Sequence, residues 1–168
     1  IELVVDPKAH PSILESFPGT VRCCRAPLLD AILGDAARPM GELPPGATVA
    51  HLSAYLARHL GCDPIVTVGQ DLGFTDGLYY GPGAVIHETW EPELGTFTPI
   101  TSMEWQRIAR HRRHLARVES WDGGTVLSDA QMVTYLHQFE RDFAADRARG
   151  LRVIDATGHG GARKRGAE

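Results

Sequence analysis

Three short β-favouring runs, "IELVVD" (1–6), "PIVTVGQD" (64–71) and "LRVIDAT" (151–157), each pass from apolar residues to acid or amide groups within a few positions. Such runs read as buried strands. The stretch "ATVAHLSAYLARHLG" precedes the second run and places Val49, Leu52, Leu56 and Leu60 on one face at helical spacing, with Gly61 at the expected stop. A helix feeding a strand is the succession of a βαβ crossover, so the chain is expected to form an α/β fold with a largely parallel sheet flanked by helices.

"TVRCCR" is a weaker strand candidate, and residues 34–46 read as a loop. Beyond Asp76 a turn-rich excursion, "DGLYYGPG" to "HETWEPELGTFTP", has the character of a lid over the mouth of the sheet. Thr101–Glu104 has the capping-box form and opens a helix expected to reach about Arg117; Ser128–Gln131 repeats it before a helix carrying Met132, Leu136, Phe139 and Phe143 on one face. One domain over 1–161 is expected, with a disordered basic tail at 162–168. Opening at Ile1 inside a strand suggests a domain cut from a longer protein.

With 168 residues and 43% hydrophobic content, the chain can bury one proper core. A net charge of -4 and a pI near 6.1 argue against broad nucleic-acid or anionic-membrane binding. Cys23, Cys24 and Cys62 form neither a CxxC pair nor a disulfide framework, and no apolar stretch reaches membrane-spanning length, so a cytoplasmic protein is expected.

Ligands bind open α/β sheets at the carboxyl ends of strands, which makes Asp6, Gln70, Asp71 and Asp155 candidates to converge on one pocket. The plainer role of each acid is to cap a following turn or helix; Asp71, with Gln70 before it and Thr75-Asp76 after, favours function. Gly46 and Thr48 open a helix, where free N–H groups suit a phosphate, although an ordinary N-terminal cap is the commoner use of such a threonine. Neither a lysine-bearing phosphate loop nor a dinucleotide fingerprint is present, and no Cys/His spacing marks a metal site. His87 and His159, in loops, are better placed to take a proton than His51, His59, His111 and His114, which read as surface residues. The run "RIARHRRHLAR" is the one dense basic patch: a solvated face by default, otherwise a contact for phosphate or an acidic partner. Trp90, Trp105 and Trp121 can stack on a sugar or base, with Trp105, on a helix, reading as core.

The stretch "PPGATVAHLSAYLARHLGCDPIVTVGQDLGFTDG", continued by "MEW", "GGTVLSDAQMVTYLHQFERDF" and "VIDATGHGGA", resembles the central domain of the motility accessory factor family, bacterial proteins associated with glycosylating flagellin with nonulosonic (sialic-acid-like) sugars. The resemblance covers most of the chain beyond about Gly46, with "VVDP" matching earlier. It implies a Rossmann-like fold related to sialyltransferases that use CMP-activated sugars. It carries over Gly69, Gln70, Asp71, Thr75, Asp76, Asp155 to Thr157, Gly160 and Gly161. The implied activity moves a nonulosonic acid from its CMP ester to a Ser or Thr hydroxyl of a flagellin-like protein. Asp71 or His159 would be the base, Thr48 and its neighbouring amides the phosphate cradle, and Gln70, Thr75 and Asp76 the polar wall, with no obligatory cofactor. A more distant similarity, through "GFTDG", is to archaeal-type 6-hydroxymethylpterin diphosphokinase, which implies ATP with Mg2+ held by Asp71, Asp76 or Asp155. A domain that only recognises a partner is the remaining alternative.

Overall fold

In the computed structural model, which describes residues 1–38 and 40–168, the first apolar run forms strand β1 (Glu2–Val5). It pairs in parallel with β2 (Thr20–Cys23), Val5 lying opposite Cys23. Helix α1 (Pro11–Ser16) connects them and α2 (Pro27–Leu33) follows; each begins with a proline in its first turn, where the missing N–H has no helical partner to lose. Helix α3 (Val49–His59) completes the first of two compact units, Ile1–His59. Its buried stripe is His51, Ala54 and Tyr55, while Val49 and Leu60 are exposed. The apolar spacing of 49, 52, 56 and 60 thus marks a neighbouring face, and His51, expected at the surface, is fully buried with Nδ1 2.9 Å from the Thr48 hydroxyl.

The second unit, Leu60–Glu168, holds the other two strand pairs. Strand β3 (Ile65–Thr67) runs parallel to β6 (Val153–Asp155), with Thr67 opposite Asp155. Between them come α4 (Ile86–Trp90), α5 (Ile100–Arg110), an antiparallel hairpin of β4 (Leu115–Glu119) and β5 (Thr125–Asp129), and α6 (Ala130–Ala148). The architecture is therefore mixed α/β built on small sheets, two parallel pairs and one antiparallel hairpin, in place of one largely parallel sheet. The core of this unit gathers Phe139 and Phe143 of α6, Ile108 and Met103 of α5, Trp90, Phe74, Val126 and Val153. Helix α6 buries the expected Leu136, Phe139 and Phe143. Among the described residues, no helix is long and apolar enough to cross a membrane.

Both expected capping boxes resolve differently. Helix α5 starts after Pro99 without a side-chain cap, and Glu104, fully buried, accepts from the Tyr79 and Tyr80 N–H groups at 2.6 and 3.1 Å and meets His87 Nε2 at 2.7 Å. Glu104 therefore fastens the excursion, because three donors converge on a carboxylate that has left water. At α6 the cap is Asp129, which accepts from Met132 N–H at 2.8 Å, while Ser128 donates to Leu72 C=O at 2.8 Å. Helix α5 ends at Arg110, seven residues short of the expected Arg117; the chain then makes one tight turn and enters the hairpin.

The tail is not disordered. Ala162 is fully buried against Val126 and Leu136, its N–H donates to Asp71 C=O, and it bridges Ser120 beside β4. Glu168 exchanges backbone hydrogen bonds with Val153 and Asp155 on β6. Composition alone misreads this segment, since Ala162 fills the core and Lys164 is drawn inward by a buried acid.

Candidate functional site

The opening strands turn polar because β3 and β6 end side by side and their loops clasp each other. Asp155 is the centre of that clasp. Its Oδ1 accepts from the Thr67 hydroxyl at 3.2 Å and from the N–H and hydroxyl of Thr157; its Oδ2 accepts from Lys164 Nζ at 2.8 Å and Trp121 Nε1 at 3.1 Å. The Thr157 hydroxyl in turn accepts from Gln70 N–H at 3.3 Å and Lys164 Nζ at 3.2 Å. Lys164 and Asp155 are both fully buried through their side chains. Burial pushes the Asp155 carboxyl up, but the Lys164 ammonium, Thr157 and Trp121 outweigh it and hold the group below its ordinary 3.8. Asp155 and Thr157, expected to touch substrate, thus spend their polar groups on the protein itself.

Next to the clasp lies a cleft of about 270 Å³. Thr75, Asp76 and Gly77 line it from the β3 loop, Trp105 from α5, Arg117, Asp122 and Thr125 from the hairpin, and His159 and Gly160 from the β6 loop. The β3 loop holds two non-glycine residues at positive φ, Leu72 (49°) and Asp76 (54°). Strain of that kind persists where the surroundings over-determine the backbone, and it collects at binding sites. Two glycines permit the close approach. Gly160, at φ 80°, would place a Cβ 2.4 Å from Thr75 Cγ2, and Gly77, at φ 72°, one 2.7 Å from the Trp105 ring. Gly77→Ala is accordingly expected to destabilise the protein by about 1–2 kcal/mol from its left-handed backbone alone and to displace Trp105; a thermal melt and the tryptophan emission spectrum measure the two effects.

Three features of the cleft are chemical. His159 Nδ1 sits 3.2 Å from Asp122 Oδ1, an arrangement that orients the ring and leaves Nε2 for a proton. The Thr75 hydroxyl is sheltered from solvent without a hydrogen-bond partner among the described residues, a condition that native structures tolerate where a ligand or water supplies one. Arg117, whose Nη1 is 3.4 Å from Thr125 Oγ1, brings a permanent positive charge to the rim.

Of the residues singled out by sequence, Thr75, Asp76 and His159 meet at this cleft. Gly69, at φ 67°, and Gln70 shape the loop behind it. Asp71 is half-buried, gives its carbonyl to Ala162, and is not among the lining residues. Asp6, Gly46 and Thr48 lie in the first unit. Asp6 caps its own turn by accepting from Lys8 N–H at 2.8 Å. Thr48 caps α3, with Oγ1 3.4 Å from His51 N–H, and a Cβ at Gly46 would lie 2.8 Å from that of His51. His87 is held by Glu104. Of the tryptophans, Trp90 is core and Trp121 serves Asp155, whereas Trp105 is 51% exposed and faces the cleft, reversing the expected assignment. Arg117 ends the basic run "RIARHRRHLAR" but was expected on a helix, whereas Asp122 escaped sequence reasoning, although the Asp-Gly pair in "WDGG" is a hairpin-turn signal that would have placed it at a loop tip. Among the described residues, no group of three or more His, Cys, Asp or Glu is placed to hold a metal ion. Compared with protein-family models, curated proteins and solved structures, the chain shows no significant match.

Proposed function

We propose that this cleft is the transfer site of a glycosyltransferase core that moves a nonulosonic acid from its CMP ester to a Ser or Thr hydroxyl of a flagellin-like protein in the cytoplasm. The observation that carries the proposal is the His159–Asp122 pair at the rim of a polar cleft beside the carboxyl ends of β3 and β6. The Rossmann-like reading of the fold goes with it, as it rests on those two parallel neighbours.

In this reading His159 Nε2 takes the proton from the acceptor hydroxyl as its oxygen bonds to the anomeric carbon. The anomeric C–O bond to the phosphate breaks on the opposite face, and CMP leaves with the electron pair. Asp122 holds the imidazole and stabilises its protonated form. Arg117 faces the phosphate, and hydrogen bonding to a developing anion is where such a cation lowers the barrier. Thr75 and Asp76 orient sugar hydroxyls, and Trp105 offers an aromatic face to the ring. The phosphate-cradle role read into Thr48 passes to Arg117, because the Thr48 oxygen already caps α3.

One phosphodiester needs one cation, whereas diphosphate transfer from ATP needs several to gather a polyphosphate. Calorimetric titration is therefore expected to show CMP or CDP binding more tightly than ATP, with no requirement for Mg2+. A ligand at a hundred times its Kd also raises stability by about 2.7 kcal/mol, which a thermal-shift screen reads directly. Preference for ATP with strict Mg2+ dependence would replace this reading by the diphosphokinase one, and no nucleotide binding at all would leave a recognition domain.

A further inference from the structure

We propose that the exposed side of α5, running from Trp105 into an arginine-lined hollow, is the docking track for an acidic segment of the acceptor protein; the inference rests on the transfer reading of the cleft. The surface is continuous. Trp105 lines both the cleft and a shallow groove that includes Gln106 and Ala109, and those two residues also line a hollow of about 610 Å³ formed with Arg110, Arg112, Arg113 and His114.

Among the described residues, no acid lines the hollow. Arg110, Arg112 and Arg113 have no ion pair or hydrogen bond among the described residues. A helix C-terminus favours a cation in its last turn, which accounts for Arg110. Arg112 and Arg113 lie beyond the helix in the tight turn at Arg112–His114, where the dipole no longer calls for them. In a chain of net charge -4, three guanidinium groups gathered around one hollow make a local basic patch, and carboxylates are the groups their planar forks pair with best.

The spacing sets the register of the partner. From Trp105 to Arg110, the last residue of the helix, α5 climbs about 7.5 Å at 1.5 Å per residue, a distance that an extended peptide covers in two to three residues at roughly 3.3 Å each, and Arg112 and Arg113 lie further along the chain. Acids three to five positions from the reactive hydroxyl therefore fall on the arginines. A small phosphate is the less fitting occupant, because the hollow is broad and open where a phosphate site draws its donors inward.

The test is fluorescence anisotropy on the full chain at low salt, with a fluorescein-labelled serine peptide carrying glutamates three to five residues from the serine, and a glutamine version as control. The glutamate peptide is expected to bind at least about tenfold more tightly than the control and to weaken as salt rises. Arg112→Glu with Arg113→Glu, both outside the helix, is expected to abolish that difference while CMP affinity and Tm stay at wild-type values. If that double variant fails to fold, Arg112→Gln with Arg113→Gln reads the same loss. Equal binding of the two peptides, or glutamate-peptide binding that survives the arginine changes, overturns the proposal, as does pyrophosphate binding that needs these arginines without any peptide binding. Because no donor is present, a wild-type protein that ignores CMP but binds the glutamate peptide through these arginines defeats the transfer reading and leaves docking supported.

Discussion

Lys164→Met is expected to lower stability by about 3–5 kcal/mol, the usual result of removing one partner from a buried ion pair, and Tm by roughly 6–20 °C for a chain of this length. The cause is the carboxylate left behind. Asp155 has no exposed side-chain surface, and without the ammonium it keeps three neutral donor groups, Thr67, Thr157 and Trp121, and no compensating charge. Adding Asp155→Asn removes the stranded charge and is expected to recover a large part of the loss, so the double variant melts above Lys164→Met alone. The pH dependence has a definite sign. Since the folded Asp155 carboxyl lies below its ordinary 3.8, its contribution is fully present above that value and disappears as pH falls through the lower folded pKa. Wild type should therefore lose stability in that acid range more steeply than the Asp155→Asn/Lys164→Met double variant. Melting curves measured at a series of pH values decide the matter; a Lys164→Met protein as stable as wild type would show that the clasp does not hold the two loops.

What was legible in the sequence followed from periodicity and from polar groups at strand ends. The stripe Leu136, Phe139, Phe143 is helical by spacing and is buried as such. The adjacency of "PIVTV" and "LRVID" follows from two apolar runs with polar exits, and they do pair in parallel. The hairpin was hidden because the arginine-rich stretch continues the helical pattern of α5 beyond Arg110, and charged residues report little about which structure carries them. Only the alternation at Val118, Val126 and Ser128 and the Asp-Gly turn could have divided it. The tail failed for a related reason: "ARKRGAE" has the composition of solvated chain, and nothing local reveals that Lys164 answers an acid nine positions earlier. Asp155 itself was legible as important, but its donors come from four separate stretches, around Thr67, Trp121, Thr157 and Lys164, so whether it served ligand or fold was decided by tertiary structure. The cleft shows the same division. Thr75, Asp76 and His159 carry the motif, whereas Asp122 and Arg117 reach the site only because the hairpin brings them there.

His159→Ala is expected to cut glycosyl transfer by about 10²–10⁴, the usual effect of losing a general base, while changing stability by no more than about 0.5 kcal/mol. The second expectation follows from its place in the structure: the side chain is 89% exposed and, among the described residues, its only partner is the Asp122 carboxylate. Loss of a group that acts on the proton in flight lowers kcat and kcat/KM together, so the affinity for CMP should be unchanged. Asp122→Asn keeps the shape of the pair and removes the charge that favours the protonated ring, which gives a smaller loss in the same direction. The comparison that separates the two candidate bases is with Asp71→Asn. Asp71 sits behind the cleft, with its carbonyl engaged by Ala162, so this variant should transfer faster than His159→Ala. Single-turnover rates for the three proteins, with nucleotide affinities measured alongside, assign the base. Full activity in His159→Ala together with its loss in Asp71→Asn would return the role to Asp71, and would require the β3 loop to turn that carboxylate into the cleft when donor binds.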